Sequence, residues 1–319
     1  MDLSRRAFLK ETVVLPAGAA LLGGCASGVS LNLSKPYSFD QQEGVRIPWP
    51  GLEETLRVWV VGDTHLALHD ARDDMHADFY RRLSQRAGKG KELFEAMLAR
   101  AKAERPDALI LVGDIISFPT LANVEYLKSL LDACGIPYFY VAGNHDWHFE
   151  GDKGNDLEQR KRWTKMRLAP LYQGENPLMY SRRVKGVRIV MIDNSAYHVL
   201  PEQVDFWRQE ADKGDPVLLG MHIPFWHPGW SVLTCACPTW GAATDPYAEI
   251  ERRERWAERL LPSTFEFRQA VLDTTNLVGV FSGHMHKVQL ASENGQNMFT
   301  TSENRKGYFM DVRIGKVTV

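Results

Sequence analysis

Six apolar runs, each closing on a polar cluster, set the pattern of the chain: "LRVWVVGDTH" over 56–65, "ALILVGD" over 108–114, "YFYVAGNHD" over 138–146, "VRIVMIDNS" over 187–195, "PVLLGMH" over 216–222 and "NLVGVFSGHMH" over 276–286. Short and rich in β-branched residues, they predict six buried strands. Helix-like stretches over 76–104, 120–133 and 201–212 lie between several of them. Strand alternating with helix predicts an α/β fold with a partly parallel sheet. In such sheets functional groups collect beyond the carboxyl ends of the strands, which is where every polar cluster falls. The final stretch, 288–319, is broken by "NG", "KG" and "GK" and predicts two hairpins that close the sheets. No repeat, low-complexity tract or second domain boundary is evident, so 51–319 reads as one domain.

The N-terminus follows different rules. Residues 1–25 read as a targeting segment. Arg5 and Arg6, followed by Phe8, Leu9 and Lys10, resemble the bacterial twin-arginine export signal, and "LLGGC" at 21–25 resembles a lipobox with Cys25 as the lipidated residue. The apolar run between them falls short of the roughly 20 residues that span a bilayer and contains Pro16. The resemblance implies passage through the twin-arginine machinery, an extracytoplasmic location and a lipid tether to the membrane in a bacterium. Residues 26–50, polar with Gly, Ser and Pro, are expected to be a tether. Cys134, Cys235 and Cys237 remain; Cys134 reads as a small buried apolar residue, and the pairing of the "CAC" cysteines stays open.

Composition narrows the class of partner. With 38 basic and 40 acidic residues the net charge is -2, so no basic field favours long nucleic acid and any phosphate recognition must be local. The stretch "ERRERWAER" at 251–259 mixes arginine with glutamate and reads as a solvated helix face.

Chemistry enters with the residues at the strand ends: Asp63 and His65, Asp114, Asn144 with His145 and Asp146, His222, and His284 with His286. Carboxylate, amide and imidazole suit a first-row cation, and the absence of thiolate disfavours a structural zinc site. A strand continued through Ser282 and Gly283 would send His284 and His286 to one side.

The order "GDTH", "GD", "GNHD", "MH", "GHMH" resembles that of the calcineurin-like metallophosphoesterases across roughly residues 56–290. The resemblance implies a four-layer αββα sandwich of two mixed β-sheets with a dinuclear metal site. Asp63, His65 and His286 would hold one ion and Asn144, His222 and His284 the other, with Asp114 bridging. His145 would meet the substrate and assist the leaving oxygen, and Asp146 would orient its ring. The implied reaction is hydrolysis of small phosphate mono- or diesters by hydroxide activated between two ions, manganese, zinc or iron. Ser117 stands where many relatives carry an acid or a tyrosine, which argues against the purple acid phosphatase branch.

Alternatives are a non-catalytic scaffold of the same fold and a nuclease. Two insertions are expected to shape the pocket. In 66–80, His69, His76 and the acids are solvated or paired with Arg72 and Arg81. In 223–247, Trp226, Trp230, Trp240 and Tyr247 either stack a base or sugar or form the core of a cap. His148, His198 and His227 read as exposed histidines, with a pocket role as the alternative.

Overall fold

The computed structural model describes residues 35–41, 44–86, 88–149, 152, 155–242 and 259–318. Arg5, Arg6 and Cys25 lie outside the described residues, as do Tyr247, the arginine–glutamate stretch up to residue 258 and the side chain of His76.

The chain enters through β1 (Ser38–Asp40) and β2 (Gly44–Pro48), then runs through β3 (Leu56–Val61), β4 (Ala108–Val112) and β5 (Tyr138–Val141). A second series follows: β6 (Met179–Val184), β7 (Val187–Ile192), β8 (Val217–Gly220), β9 (Leu277–Ser282), β10 (Gln289–Glu293) and β11 (Gln296–Thr300), before β12 (Met310–Gly315) returns to the first. They form two six-stranded mixed sheets, ordered β1-β2-β12-β3-β4-β5 and β10-β11-β9-β8-β7-β6. β3, β4 and β5 are parallel, as are β7, β8, β9 and β11. All six predicted runs are strands, each ending before its polar cluster, so the clusters form loops on one rim.

One core cluster joins both sheets, uniting Ile110 and Leu111 of β4 with Leu218 of β8 and Phe281 of β9. Burying each such side chain contributes about 1.5–3 kcal/mol, which favours this face-to-face packing. Around the sheets lie α1 (Ala77–Arg86), α2 (Gly90–Glu104), α3 (Leu121–Cys134), α4 (Asp156–Trp163), α5 (Pro201–Ala211) and α6 (Pro262–Leu272). A second core cluster lies around α5 and α6, with Trp207 and Phe267 fully buried.

Three expectations change. The predicted helix 76–104 is two helices, because Gly88 takes φ +62° between α1 and α2. Of the two hairpins, only β10–β11 forms, around Asn294-Gly295; β12 instead pairs parallel with β2 and antiparallel with β3. The stretch expected to be a tether, 26–50, is folded in its described second half: β2 pairs with β12 and buries Val45 and Ile47 completely or nearly so.

Candidate metal centre

Backbone bonds first bring the loops together. After β3 and β4, the Asp63 N–H donates to Gly113 O at 3.0 Å and the His65 N–H to Asp114 O at 2.9 Å, so the pairing of the two parallel strands continues past their ends. From the second sheet, the Gly283 N–H donates to His222 O at 2.9 Å, and the His284 N–H reaches both Asp63 oxygens at 3.1 and 2.9 Å.

Asp63, His65, Asp114, His284 and His286 all have left-handed backbones, with φ of 56°, 53°, 52°, 71° and 53°. For residues with a β-carbon such conformations cost about 1–3 kcal/mol each and persist only where the surroundings impose them. This corrects the expectation for the last pair: β9 stops at Ser282, and His284 and His286 sit on a turn, not a strand. The motif glycines allow close approach. A β-carbon on Gly143 would lie 2.1 Å from Asp114 Oδ1, and one on Gly283 would lie 2.6 Å from Asp63 Oδ2.

The converging side chains form two groups that share Asp114. Ligand atoms of Asp63, His65, Asp114 and His286 lie within 4.8 Å of one another, as do those of Asp114, His222 and His284. In the first, His286 Nε2 is 3.2 Å from Asp63 Oδ1 and 3.1 Å from His65 Nε2. In the second, His222 Nε2 is 3.3 Å from Asp114 Oδ2, 3.2 Å from Asn144 Oδ1 and 3.3 Å from His284 Nδ1. Every residue expected to hold a metal is therefore in one cluster. Among the described residues neither Asp63 nor Asp114 pairs with lysine or arginine, although both are buried. Buried carboxylates require a compensating positive charge, and the oxygen and imidazole donors around them make this a metal-binding site.

The electrostatics agree. Burial holds the His65 and His284 imidazoles well below the usual histidine range, so both are neutral donors. Burial acts against a proton on His222 too, but the Asp114 carboxylate outweighs it and pushes that ring up to about 9. Asp114 behaves in reverse: burial would raise it, yet His222, His145 and His65 hold it well below the carboxylate range. A proton on His222 would supply part of the missing charge, and a cation held by His222 Nε2 would take the place of that proton.

The ring nitrogens facing away from the cluster also have partners. His222 Nδ1 donates to Val112 O at 2.7 Å, which leaves Nε2 for the centre. His284 Nε2 is 3.1 Å from Tyr197 Oη, and His286 Nδ1 is 3.5 Å from Glu303 Oε2. The Glu303 carboxylate also pairs with Arg305 and Lys306. Tyr197 and Glu303 belong to no motif, and sequence reasoning missed them. Ser117 donates to His65 O at 3.1 Å and braces that loop.

His145 is exposed, with its ring centroid 4.9 Å from that of His65. Asp146 differs from expectation. Its Oδ2 accepts from the N–H groups of Gly143 (2.6 Å) and Asp114 (2.9 Å), and its Oδ1 from that of Ile116 (2.8 Å). Burial, followed by the neighbouring Asp114 charge, pushes Asp146 up to about 7 against the pull of these amides. It therefore locks two loops together through these amides, and among the described residues no hydrogen bond joins it to the His145 ring.

In the first insertion, Asp70 pairs with Arg72 and Asp78 with Arg81, while His69 packs near Tyr80. In the second, Trp240 packs at a tilt against Tyr197, with ring centroids 4.5 Å apart, and both Trp230 and Trp240 pack on the core around α5 and α6. His227 lies against Trp230. His198, expected to be exposed or at the pocket, is buried beside Asp156, with Nε2 3.8 Å from Asp156 Oδ2. Cys134, Cys235 and Cys237 are buried free thiols.

Comparison with known proteins shows the family and the fold. Two curated relatives from Psychrobacter are both called "Probable cyclic nucleotide phosphodiesterase". The one from Psychrobacter sp. (strain PRwf-1) is 25% identical over 65% of this chain and 55% of its own length, so the chain spans about half of that relative. The one from Psychrobacter arcticus is 22% identical over 77% of this chain and 79% of its own. A dimetal phosphatase from Danio rerio has the same fold, with a TM-score of 0.50 at 13% identity over 78% of this chain and 87% of that one. Residues 56–288, from the start of β3 to just past His286, match the family model described as "Calcineurin-like phosphoesterase"; the chain belongs to that family.

Proposed function

We propose that the chain is a metal-dependent hydrolase of small phosphodiesters, with cyclic nucleotides as the leading substrates. The observation that carries this reading is the pair of donor groups sharing Asp114. Asp63, His65, His286 and Asp114 would hold one cation, and Asn144, His222, His284 and Asp114 the other, each manganese, zinc or iron. Two cations so placed would neutralise charge on the phosphoryl group and lower the pKa of a water.

The chain's own residues supply the rest. His145, exposed beside His65, delivers a proton to the leaving oxygen. Asp146 keeps the Asp114 and Asn144 loops in register. Trp240, packed at a tilt against Tyr197, which itself meets the His284 ring edge-on, would supply an aromatic wall. Preference for a cyclic nucleotide rests on the names of the two relatives together with that wall. Export through the twin-arginine route and lipid attachment at Cys25 belong to the same proposal; they rest on Arg5, Arg6 and the residues preceding Cys25.

The test uses soluble protein beginning at Ala26. Hydrolysis of bis(p-nitrophenyl) phosphate, p-nitrophenyl phosphate and cyclic AMP is measured with manganese, zinc, iron or chelator. Turnover should need metal and favour the diesters, and His145→Ala should lower kcat by about 10²–10⁴-fold while still binding metal. Protein with both ions bound and no turnover of any ester would instead favour the scaffold reading.

A further inference from the structure

Tyr197 is fixed in an unusual way for a residue outside every motif. It lies in the loop between β7 and α5, its ring is buried, and its backbone is left-handed at φ 62°. The Tyr197 N–H donates to Asn194 O at 2.8 Å, and Asn194 in turn holds Ile223, next to His222, through Ile223 N–H to Asn194 Oδ1 (3.0 Å) and Asn194 Nδ2 to Ile223 O (2.6 Å). A bulky aromatic residue at positive φ is an outlier that the surroundings must impose. What this conformation delivers is the phenol oxygen, 3.1 Å from His284 Nε2.

The two histidines of "GHMH" face the centre through different atoms. His286 turns Nε2 toward Asp63 and His65, whereas His284 turns Nδ1 toward His222. A neutral imidazole carries one proton, and the nitrogen that binds a cation must be the bare one. For His284 the proton must then sit on Nε2, where Tyr197 Oη accepts it. An imidazole whose far nitrogen has no partner exchanges tautomers and rotates more freely, and such outer contacts are typically worth 10–100-fold in metal affinity.

We propose that Tyr197 is a positioning residue that holds His284 in the tautomer with the proton on Nε2 and Nδ1 bare, and so sets the affinity of the cation held by Asn144, His222 and His284. This rests on the metallophosphoesterase reading above.

Two measurements test it. Zinc titration of metal-free protein by calorimetry should give two sites for the wild type. Tyr197→Phe, which keeps the ring, should weaken one of them by about 10–100-fold and leave the other within about threefold. At limiting zinc the variant should lose phosphodiesterase turnover, and excess zinc should restore it. Independently, ¹⁵N-histidine NMR of the zinc-loaded wild type should show a ring protonated on Nε2, assigned to His284 by its loss in His284→Asn. A wild type that binds fewer than two zinc ions overturns the underlying reading before the variant is considered. Two sites unchanged in Tyr197→Phe, or a His284 ring protonated on Nδ1, overturns the role of Tyr197 alone.

Discussion

The rims of the two sheets build one centre from opposite chemistry. The β3–β4–β5 rim contributes both carboxylates, Asp63 and Asp114, with His65 and the Asn144 amide; the β8–β9 rim contributes three imidazoles, His222, His284 and His286. Each rim is secured differently. On the first, loop is tied to loop by backbone: Asp63 to Gly113, His65 to Asp114, and Asp146 accepting from Gly143, Asp114 and Ile116. On the second, the rings are steered through their outward nitrogens by Val112 O, Tyr197 and Glu303. A carboxylate can be aimed by the peptide that carries it. An imidazole has a second nitrogen that must be satisfied, and its partner can come from anywhere in the chain.

The sharpest way to break this comparison is at the residue both halves share. Asp114 Oδ2 lies 3.3 Å from His222 Nε2 and 3.8 Å from His65 Nε2. Asp114→Asn keeps the shape and removes the charge. Several kcal/mol of cation-dependent transition-state stabilisation should go with it, lowering kcat/KM at least about a thousandfold and reducing bound metal below two per chain. Normal stoichiometry with near-normal turnover would mean that the halves do not share a carboxylate.

The next largest effect tests the backbone lacing of the first rim. Asp146→Ala strands three N–H groups in a buried site, each costing about 1–3 kcal/mol, so urea denaturation in chelator should show a stability loss of about 3 kcal/mol or more. Chelator separates this loss from metal binding. A loss below about 1 kcal/mol would return Asp146 to a role at the His145 ring. The cut in metal affinity expected for Tyr197→Phe probes the second rim in the same way.

The contrast also explains what was legible in the sequence. Strands β3, β4, β5, β7, β8 and β9 are continuous apolar runs because both their faces are covered, and their motifs stand where those runs end. Gly113, Gly143 and Gly283 accompany the ligands in sequence because the loops approach too closely for a β-carbon. β1, β2 and β6, at or near sheet edges with half-exposed patterns, gave weaker signals. β12 could not be placed, since its partners β2 and β3 lie more than 200 residues away. The left-handed turn at His284 and His286 imitates strand spacing, so both rings reach the cluster by a geometry other than the one expected. Tyr197 and Glu303 were invisible because only tertiary contact relates them to the motif.

The smallest effect lies behind the second rim, at His198, one residue from Tyr197. It is buried with Asp156 and Arg160 beside it, and its Nδ1 accepts from the Leu261 N–H at 3.2 Å. Burial, reinforced by Arg160, holds His198 down to about 4, whereas burial pushes Asp156 up to about 6. The signs oppose. Between about pH 6.5 and 4 the unfolded chain protonates His198 and the native state does not, so this residue makes stability fall as pH falls. Between about pH 6 and 4 the native state protonates Asp156 first, so that residue makes stability rise as pH falls. The two largely cancel in the wild type. His198→Asn retains an acceptor for Leu261 and removes only the first contribution. Relative to wild type, the variant should therefore gain stability as pH drops from 6.5 to 4, by at most about 1.4 kcal/mol per pH unit for the one proton involved. Urea denaturation across that range in chelator reads the difference directly. Parallel pH profiles for the two proteins would mean that His198 takes up its proton in the native state as readily as in the unfolded chain, and that the loop behind Tyr197 does not keep it neutral.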